Sequence, residues 1–357
     1  MMHNHSTEIL RLAIPSIVSN VTVPLLGLVD LVIVGHIGNE TYISAIAVGA
    51  MAFNIMYWLL GFLRMGTSGL TSQAYGKCDS NECLSLLLRS LTIGLGMGLL
   101  FILLQIPLGW GLFKLMNTPM ASFPLVNIYF RIVIFGAPAM LGLYGLMGWF
   151  VGMQDTRTPM VIAILQNIVN IVGSLFCVYL LHWKMEGVAT GTLIAQWFGF
   201  LFAVYKVYCK VAKRHNIAFT KDIFLRTLCL VIVNMFFTKA GGTQGAMILA
   251  VNTLLMTLFT LFSYFMDGFA YAGEALAGKY YGAKDETSFR TLVRQLFFFG
   301  AIVVVVFTTV YTFGGIRFLG LLTSDEAVVQ AAAPYLVWAC LIPIAGVTAF
   351  IMDGVFV

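Results

Sequence analysis

Long apolar segments alternate with short polar connectors along most of the chain. An α-helix rises about 1.5 Å per residue, so about 20 apolar residues cross the hydrocarbon core of a bilayer. Ten segments of about this length predict an all-α polytopic membrane protein, and they cover residues 12–37, 42–74, 86–112, 124–151, 159–182, 187–208, 223–240, 246–277, 292–320 and 328–357.

Composition points to the same class of protein. The 357 residues are 60% hydrophobic and 10% charged, with a mean hydropathy of +0.94. A soluble domain carries roughly 25% charged residues, so this chain cannot cover a water-facing surface of its size. The 29 Phe and 18 Met exclude a disordered chain. The six cysteines are scattered over loops and apolar segments, so we expect reduced thiols and no disulfide framework.

The basic residues predict the orientation in the membrane. Of the 20 Lys and Arg, all but Arg64 and Arg131 lie in the connectors or near the ends of the apolar segments. Fourteen of the others fall in one set of alternate loops, which includes the N-terminus, and four fall in the opposite set: Lys114, Lys184, Lys239 and Arg317. Cytoplasmic loops carry the excess of positive charge, so we expect the N-terminus in the cytoplasm and the chain in the cytoplasmic (inner) membrane. This asymmetry accounts for the basic connector at 206–226, so we expect no nucleic-acid partner.

The two halves of the sequence repeat each other at a constant offset of 205 or 206 residues. The first members of the matched pairs are Tyr75, Gly76, Asp79, Tyr129, Pro138 and Gly148, and their counterparts are Tyr281, Gly282, Asp285, Tyr335, Pro343 and Gly354. Six helices separate equivalent positions, so the two repeats have the same orientation. We therefore expect a pseudo-two-fold axis along the membrane normal, as in transporters built from parallel halves.

The repeat also predicts the domain organisation. Residues 1–210 form an N-terminal lobe with helices 1–6, residues 211–226 a basic cytoplasmic linker, and residues 227–357 a C-terminal lobe with helices 7–10. Two six-helix bundles need 12 helices, and ten are present. Val357 is equivalent to Val151, so we expect a further two spans, roughly 55 to 65 residues, beyond this end.

Several motifs resemble the multidrug and toxic compound extrusion (MATE) family, DinF-like branch, from about residue 8 to the last residue. They are Pro15 with residues 30–38, and residues 71–76, 148–159, 187–192 and 265–276. The resemblance implies cation-coupled antiport of organic compounds, cationic or amphipathic, by alternating access between two lobes. The partners would be such drugs and the lipid bilayer. We expect no cofactor beyond a coupling ion, H⁺ or Na⁺ with the proton favoured, and a monomer.

Asp30 is the one acid that lies inside a predicted span of the N-terminal lobe, and it is our predicted cation-coupling residue. A charge inside a span costs about 3 kcal/mol on insertion scales, which favours a functional role. Its repeat equivalent is Phe236, which argues against an architectural acid, the alternative explanation. Members of this branch often carry a second acid four residues after an asparagine. Asn170 matches that asparagine, but the position of the acid is Ser174.

Three polar residues join Asp30 in the predicted coupling network. The resemblance assigns Asn170, Thr192 and Tyr129 to it. The alternative for such residues is an interhelical hydrogen bond, worth about 0.6 kcal/mol on average in a membrane protein. Pro15 and Pro24 are predicted hinges, because proline removes a backbone donor and kinks a helix, although kinks that serve only packing are equally common.

Three acids of the second half form a possible second cation or substrate site. Asp267, Glu274 and Asp353 stand where the first half has Gly61, Ser68 and Met147. The alternative for Asp267 and Glu274 is pairing with one of two basic residues, Arg64 or Lys279.

Two other functions are alternatives to transport of drugs. An enzyme would need a nucleophile elbow, a zinc motif such as H-E-x-x-H, or paired aspartates; none is present, and no metal site is expected. The closer alternative is a lipid-linked oligosaccharide flippase of the same superfamily. Such proteins tend to line the cavity with Arg and Lys to hold pyrophosphate, and here the spans offer only Arg64 and Arg131.

Overall fold

The computed structural model describes residues 6–22, 40–116, 118–211, 246–322 and 326–356. These residues form helices joined by short turns, and none of them is in a strand. Eight helical segments among them are long and apolar enough to cross a membrane. They match eight of the ten predicted spans; the span at 223–240, most of the linker and the second half of the first span lie outside the described residues.

Thirteen α-helices are described, and we number them in chain order. The N-terminal lobe contains α1 (6–22), α2 (Glu40–Leu59), α3 (Phe62–Gly76), α4 (Ser80–Leu103), α5 (Gln105–Leu115), α6 (Phe123–Val133), α7 (Ala137–Gly152), α8 (Arg157–Leu175) and α9 (Met185–Val211). The C-terminal lobe contains α10 (Ala246–Gly282), α11 (Glu286–Leu322), α12 (Glu326–Ala332) and α13 (Leu336–Phe356). A 3₁₀ turn (Ile134–Gly136) joins α6 to α7, another (Ala333–Tyr335) joins α12 to α13, and a π-turn (Phe176–Leu180) extends α8.

The turns after α3 and α10 have the same geometry, as the repeat predicts. Cys78 and Lys284, which are 206 residues apart, both have a positive φ, 58° and 56°. This conformation lets the next amide close the preceding helix. Asp79 then accepts hydrogen bonds from the first turn of α4, and Asp285 does the same for α11. The offset noted in the sequence therefore corresponds to repeated local structure.

Glycines at equivalent positions bring equivalent helices together. A Cβ on Gly148 of α7 would overlap the carbonyl oxygen of Arg64 on α3, and a Cβ on Gly354 of α13 would overlap that of Ala270 on α10. Both pairs differ by 206 positions. Small residues let membrane helices approach at backbone distance, where dispersion contacts replace the missing hydrophobic driving force. The pseudo-two-fold arrangement of two helical bundles is thus confirmed.

The lobes meet where α3 and α10 end. A Cβ on Gly76 would overlap the carbonyl oxygen of Lys279, and a Cβ on Gly282 would overlap that of Gln73. Because Gln73 and Lys279 are also repeat equivalents, this contact is symmetric about the pseudo-two-fold axis. We call the contact between α3 and α10 the seam.

The first half of α1 packs on the C-terminal lobe. Ile9, Leu12 and Ala13 belong to one buried apolar cluster with Phe262 and other residues of α10, α11 and α13. Helix α1 belongs to the N-terminal lobe in sequence but packs on the C-terminal lobe, so it links the two lobes.

Candidate functional site

A polar pair lies between α8 and α9 in the N-terminal lobe. The Nδ2 of Asn170 donates a 3.1 Å hydrogen bond to Oγ1 of Thr192, and that hydroxyl donates to the carbonyl oxygen of Val188 at 3.0 Å. Asn170 is fully buried. The structure thus brings together two of the four residues predicted from the sequence as a coupling network.

The direction of these bonds determines how the Asn170 amide is oriented. The Thr192 hydroxyl donates its only proton to the carbonyl oxygen of Val188, so it can only accept a hydrogen bond from Asn170. The carbonyl oxygen of Asn170 therefore faces the other way, where it is buried and has no hydrogen-bond partner among the described residues. A buried acceptor without a donor costs about 1–3 kcal/mol, so this oxygen marks a position for a donor or a cation.

Two neighbours shape the surroundings of Asn170. Gly191 lies so close to Ser174 that a Cβ on the glycine would overlap the serine hydroxyl. Ser174, the position at which the family resemblance led us to look for a second acid, is therefore tightly packed and holds a small side chain. On the same face of α8, Nδ2 of Asn167 donates a 3.0 Å hydrogen bond to the carbonyl oxygen of Thr22, which attaches the end of α1 to α8.

Tyr129 is buried in the apolar core of the same lobe. Its ring packs against Gly49 of α2, and it meets the ring of Phe53 edge to face at 6.3 Å. It shares its buried cluster with Val188, whose carbonyl accepts the Thr192 proton. The structure thus places Tyr129 in the same part of the lobe as the polar pair.

The remaining members of the predicted N-terminal site are only partly described. Pro15 is buried near the middle of α1, two residues after Ala13 of the cluster shared with the C-terminal lobe. Asp30 and Pro24 lie outside the described residues. Asp30 follows Thr22, whose carbonyl oxygen accepts the hydrogen bond from Asn167, by eight positions in the chain.

The acids of α10 are gathered around an arginine of the other lobe. The guanidinium of Arg64 on α3 lies 4.0 Å from the ring centre of Tyr271 on α10, and it also interacts electrostatically with Glu274 and Asp267. Glu274 is buried at 3% exposure. Of the two basic partners considered from the sequence, Arg64 is therefore the one placed among these acids.

Asp353 occupies a separate helix, α13, where it is half-buried next to Gly354, the residue that contacts the backbone of Ala270. Because Ala270 lies between Asp267 and Glu274 in α10, this contact places Asp353 at a similar height along the helices as these two acids. Among the described residues, no three His, Cys, Asp or Glu side chains come together as a metal site.

Lys279 has a different partner, which sequence analysis missed. Its ammonium lies 3.4 Å from Glu8 of α1, and the hydroxyl of Tyr280 donates a 2.7 Å hydrogen bond to the same carboxylate. Gln154, between α7 and α8, donates to the carbonyl oxygen of Ala275 at 2.6 Å. These bonds join the lobes at the end of the seam. The sequence repeat matched Gly76 with Gly282, but the motifs around these glycines do not show that the two repeats contact each other here.

A second ion pair lies beside these contacts, between Asp155 and Lys210 at the end of α9. Asp155 also accepts hydrogen bonds from the backbone and hydroxyl of Thr158. Partial burial by itself raises the pKa of Asp155, but the hydrogen bonds from Lys210 and Thr158 outweigh it, so the pKa lies below its ordinary value. The carboxylate is therefore charged and holds the start of α8 against α9.

Two lobes related by a pseudo-two-fold axis, with a buried polar pair and an interlobe cluster of charges, define a polytopic helical transporter architecture. Comparison with known proteins gives the family. The MatE family model matches residues 15–176 and 223–357. The chain is 37% identical to DNA damage-inducible protein F of Escherichia coli K12 over 97% of this chain and 79% of that protein. It therefore belongs to the MATE family of multidrug efflux transporters.

More distant relatives and solved structures agree with this assignment. The chain is 23% identical to the probable multidrug resistance protein NorM of Acinetobacter baylyi, over 88% of this chain and 74% of that protein. An outward-facing MATE transporter structure superposes with a TM-score of 0.85 at 21% identity, covering 98% of this chain and 83% of that one. A transporter of the same superfamily from Pyrococcus furiosus gives 0.84 at 20% identity. These structures share the fold of this chain, and the predicted fold class is confirmed.

Proposed function

We propose that this protein exports organic, often cationic or amphipathic compounds in exchange for a cation, with the proton as the coupling ion. It works as a monomer in the cytoplasmic (inner) membrane, with its N-terminus in the cytoplasm. Family membership supports drug transport, and the observation that supports cation coupling is the buried carbonyl oxygen of Asn170, which can accept from a protonated carboxyl group. The residues that carry the coupling are Asp30, Asn170, Thr192 and Tyr129.

The Asn170 oxygen distinguishes the two protonation states of a carboxyl group. A protonated carboxyl can donate a hydrogen bond to it, whereas a carboxylate is an acceptor only and is repelled by it. Asp30 is the acid that the sequence predicts within a span of this lobe. The bond between Asn167 and Thr22 attaches the last described residue of α1, eight positions before Asp30, to α8. Protonation of Asp30 would thus draw α1 towards Asn170, and deprotonation would release it.

Coupling to the drug follows if one conformation satisfies the Asn170 oxygen and the other does not. A tenfold difference in proton affinity between the two states corresponds to about 1.4 kcal/mol, which lies within the usual range of coupling free energies. Bending at Pro15 or Pro24 would let α1 move, and it would close the N-terminal cavity and release a cationic drug. Return to the other state would then discharge the proton to the cytoplasm.

The seam supports alternating access. Our orientation places the ends of α3 and α10 on the cytoplasmic side, where the lobes are in backbone contact at Gly76 and Gly282. Transport then requires these contacts to separate when the cavity opens towards the cytoplasm. The rival flippase function needs basic residues within the spans that face the transport cavity, and Arg64, one of the two that the spans contain, is instead engaged with Tyr271.

The test is drug uptake by inverted membrane vesicles, with the pH gradient and the sodium gradient imposed separately. We expect uptake of a fluorescent organic cation to follow the pH gradient and Asp30→Asn to abolish it with normal membrane abundance. Asp285→Asn is the matched control, because Asn also caps a helix and this acid belongs to the turn before α11. Wild-type uptake by Asp30→Asn would refute the coupling role, and uptake driven only by sodium would refute the choice of ion.

A further inference from the structure

A cavity of about 490 Å³ opens beside the seam, at the end where the lobes meet. Its walls come from α1, α3, the α7–α8 turn, α9 and α10, so both lobes contribute. Six of its lining residues are charged: Glu8, Arg11, Asp155, Arg157, Lys210 and Lys279. In the orientation that the loop charges predict, this is the level of the cytoplasmic headgroups.

The charges of this cavity do not cancel. It has four cationic side chains and two carboxylates. Each carboxylate already has a lysine partner, since Glu8 pairs with Lys279 and Asp155 with Lys210. The cations left over are the guanidinium groups of Arg11 and Arg157, and neither makes an ion pair with another residue in the described part of the chain.

Arg11 and Arg157 are both exposed, and they belong to different helices of the cavity wall. Arg11 belongs to the half of α1 that packs on the C-terminal lobe, one residue before Leu12 of that cluster. Arg157 is the first residue of α8 in the N-terminal lobe, where the helix dipole also favours an anion. An anion held by both would therefore connect the lobes.

We propose that this cavity binds a phosphate group between Arg11 and Arg157, and that the bound phosphate stabilises the conformation in which the seam is closed. The planar fork of a guanidinium matches the oxygens of a phosphate and makes two parallel charge-assisted hydrogen bonds. The phosphate can belong to an anionic phospholipid headgroup or be free in the cytoplasm. The cavity has room for the glycerol part of a headgroup as well as for the phosphate itself.

The first measurement uses the purified chain in nanodiscs of phosphatidylcholine, with or without phosphatidylglycerol, and in phosphatidylcholine with inorganic phosphate added. Native mass spectrometry counts the retained lipid, and thermal unfolding measures its effect. We expect phosphate-bearing ligand to bind about tenfold more weakly to the double variant Arg11→Gln, Arg157→Gln than to the wild type. Arg290→Gln is the matched control, because Arg290 is an exposed arginine on the same predicted side that pairs only with Glu286 in the described structure.

The outcomes separate the sources of the phosphate. Retention of phosphatidylglycerol by the wild type and by Arg290→Gln, but not by the double variant, supports a headgroup site. Stabilisation by inorganic phosphate in phosphatidylcholine, lost in the double variant, supports a site for free phosphate. Equal binding by the double variant and the wild type, or no binding by either, would overturn the proposal.

A second measurement needs no variant and keeps the test decisive if the double variant does not fold. Phenylglyoxal modifies accessible arginines, and mass spectrometry of the wild type locates the modified sites. We expect phosphatidylglycerol or phosphate to slow modification of Arg11 and Arg157 severalfold while Arg290 reacts at an unchanged rate. Equal rates at Arg11 and Arg157 with and without these ligands would contradict the site. Both measurements record binding rather than transport, so their failure leaves the coupling proposal standing, and the reverse holds too.

Discussion

The guanidinium of Arg64 on α3 lies over the ring of Tyr271 on α10, 4.0 Å from its centre, so a cation of one lobe rests on an aromatic residue of the other. Such a contact is worth about 0.5–2 kcal/mol, more where water is excluded. Glu274 and Asp267 interact with the same arginine. The charge of Glu274 is therefore needed to balance Arg64, which indicates a structural role for this buried acid.

We predict that Glu274 and Asp353 respond differently to loss of charge. Glu274→Gln should lower the free energy of unfolding by about 3–5 kcal/mol, because Arg64 loses a carboxylate in a buried position. Asp353→Asn should keep normal membrane abundance and lose efflux, because Asp353 is our candidate for cation or substrate binding. Membrane abundance and efflux of both variants are the measurements. Normal efflux by Asp353→Asn with normal abundance of both would contradict the distinction.

The polar pair in the N-terminal lobe gives a second prediction. Thr192→Val keeps the shape of the side chain but removes the acceptor of the Asn170 amide, so it should destabilise the protein by about 1–3 kcal/mol and impair coupled transport. Thr192→Ser keeps the hydroxyl and is the matched control. Thermal unfolding in detergent and uptake under a pH gradient test this. If Val and Ser at this position gave the same transport rate, the hydroxyl would have no part in coupling.

We predict that replacing a glycine at the seam lowers the stability of the protein, whereas replacing a glycine with open space around it raises the stability. Gly76→Ala should destabilise the closed seam by about 1–3 kcal/mol, because the new Cβ overlaps the backbone of Lys279. Gly282→Ala should have the same effect by symmetry. Gly96 of α4 has no atom within 4 Å of the position of a Cβ, so Gly96→Ala should stabilise the protein by up to about 1 kcal/mol. Unfolding midpoints of the three variants decide this, and a stabilised Gly76→Ala would disprove close contact at the seam.

The lowered pKa of Asp155 leads to a prediction of how the free energy of unfolding depends on pH. Its pKa is lower in the folded state than in the unfolded chain, so it stabilises the fold above its unfolded pKa of about 3.9. That contribution is lost as the pH falls through the lowered folded pKa. We expect the stability difference between wild type and Asp155→Asn to be constant near neutral pH and to shrink in the acid range below about pH 4. A difference that grew on acidification would contradict this, and unfolding curves at a series of pH values measure it.

The sequence by itself was sufficient for the fold class, most of the spans and the internal repeat. Apolar segments of bilayer length have one way to satisfy their backbone, which is to form helices, so composition and length decide the secondary structure without knowledge of contacts. The constant offset matched Asp79 to Asp285, and the turns that lead to them share a positive φ at Cys78 and Lys284. The match between Asn170 and the family pattern likewise led to a residue that is buried and hydrogen-bonded to Thr192.

Only the tertiary structure decided which residues of the two halves touch. The choice of Arg64 as the partner of the α10 acids, the attachment of Lys279 to Glu8, and the backbone contacts of Gly76 and Gly282 all join positions about 200 or more residues apart. No periodicity within a helix specifies such pairs, because they depend on how two bundles are placed against each other. The direction of the Asn170 amide also required the structure, since it follows from the bond that Thr192 makes with Val188. Sequence determines which elements form, and packing between distant elements determines the chemistry of the seam.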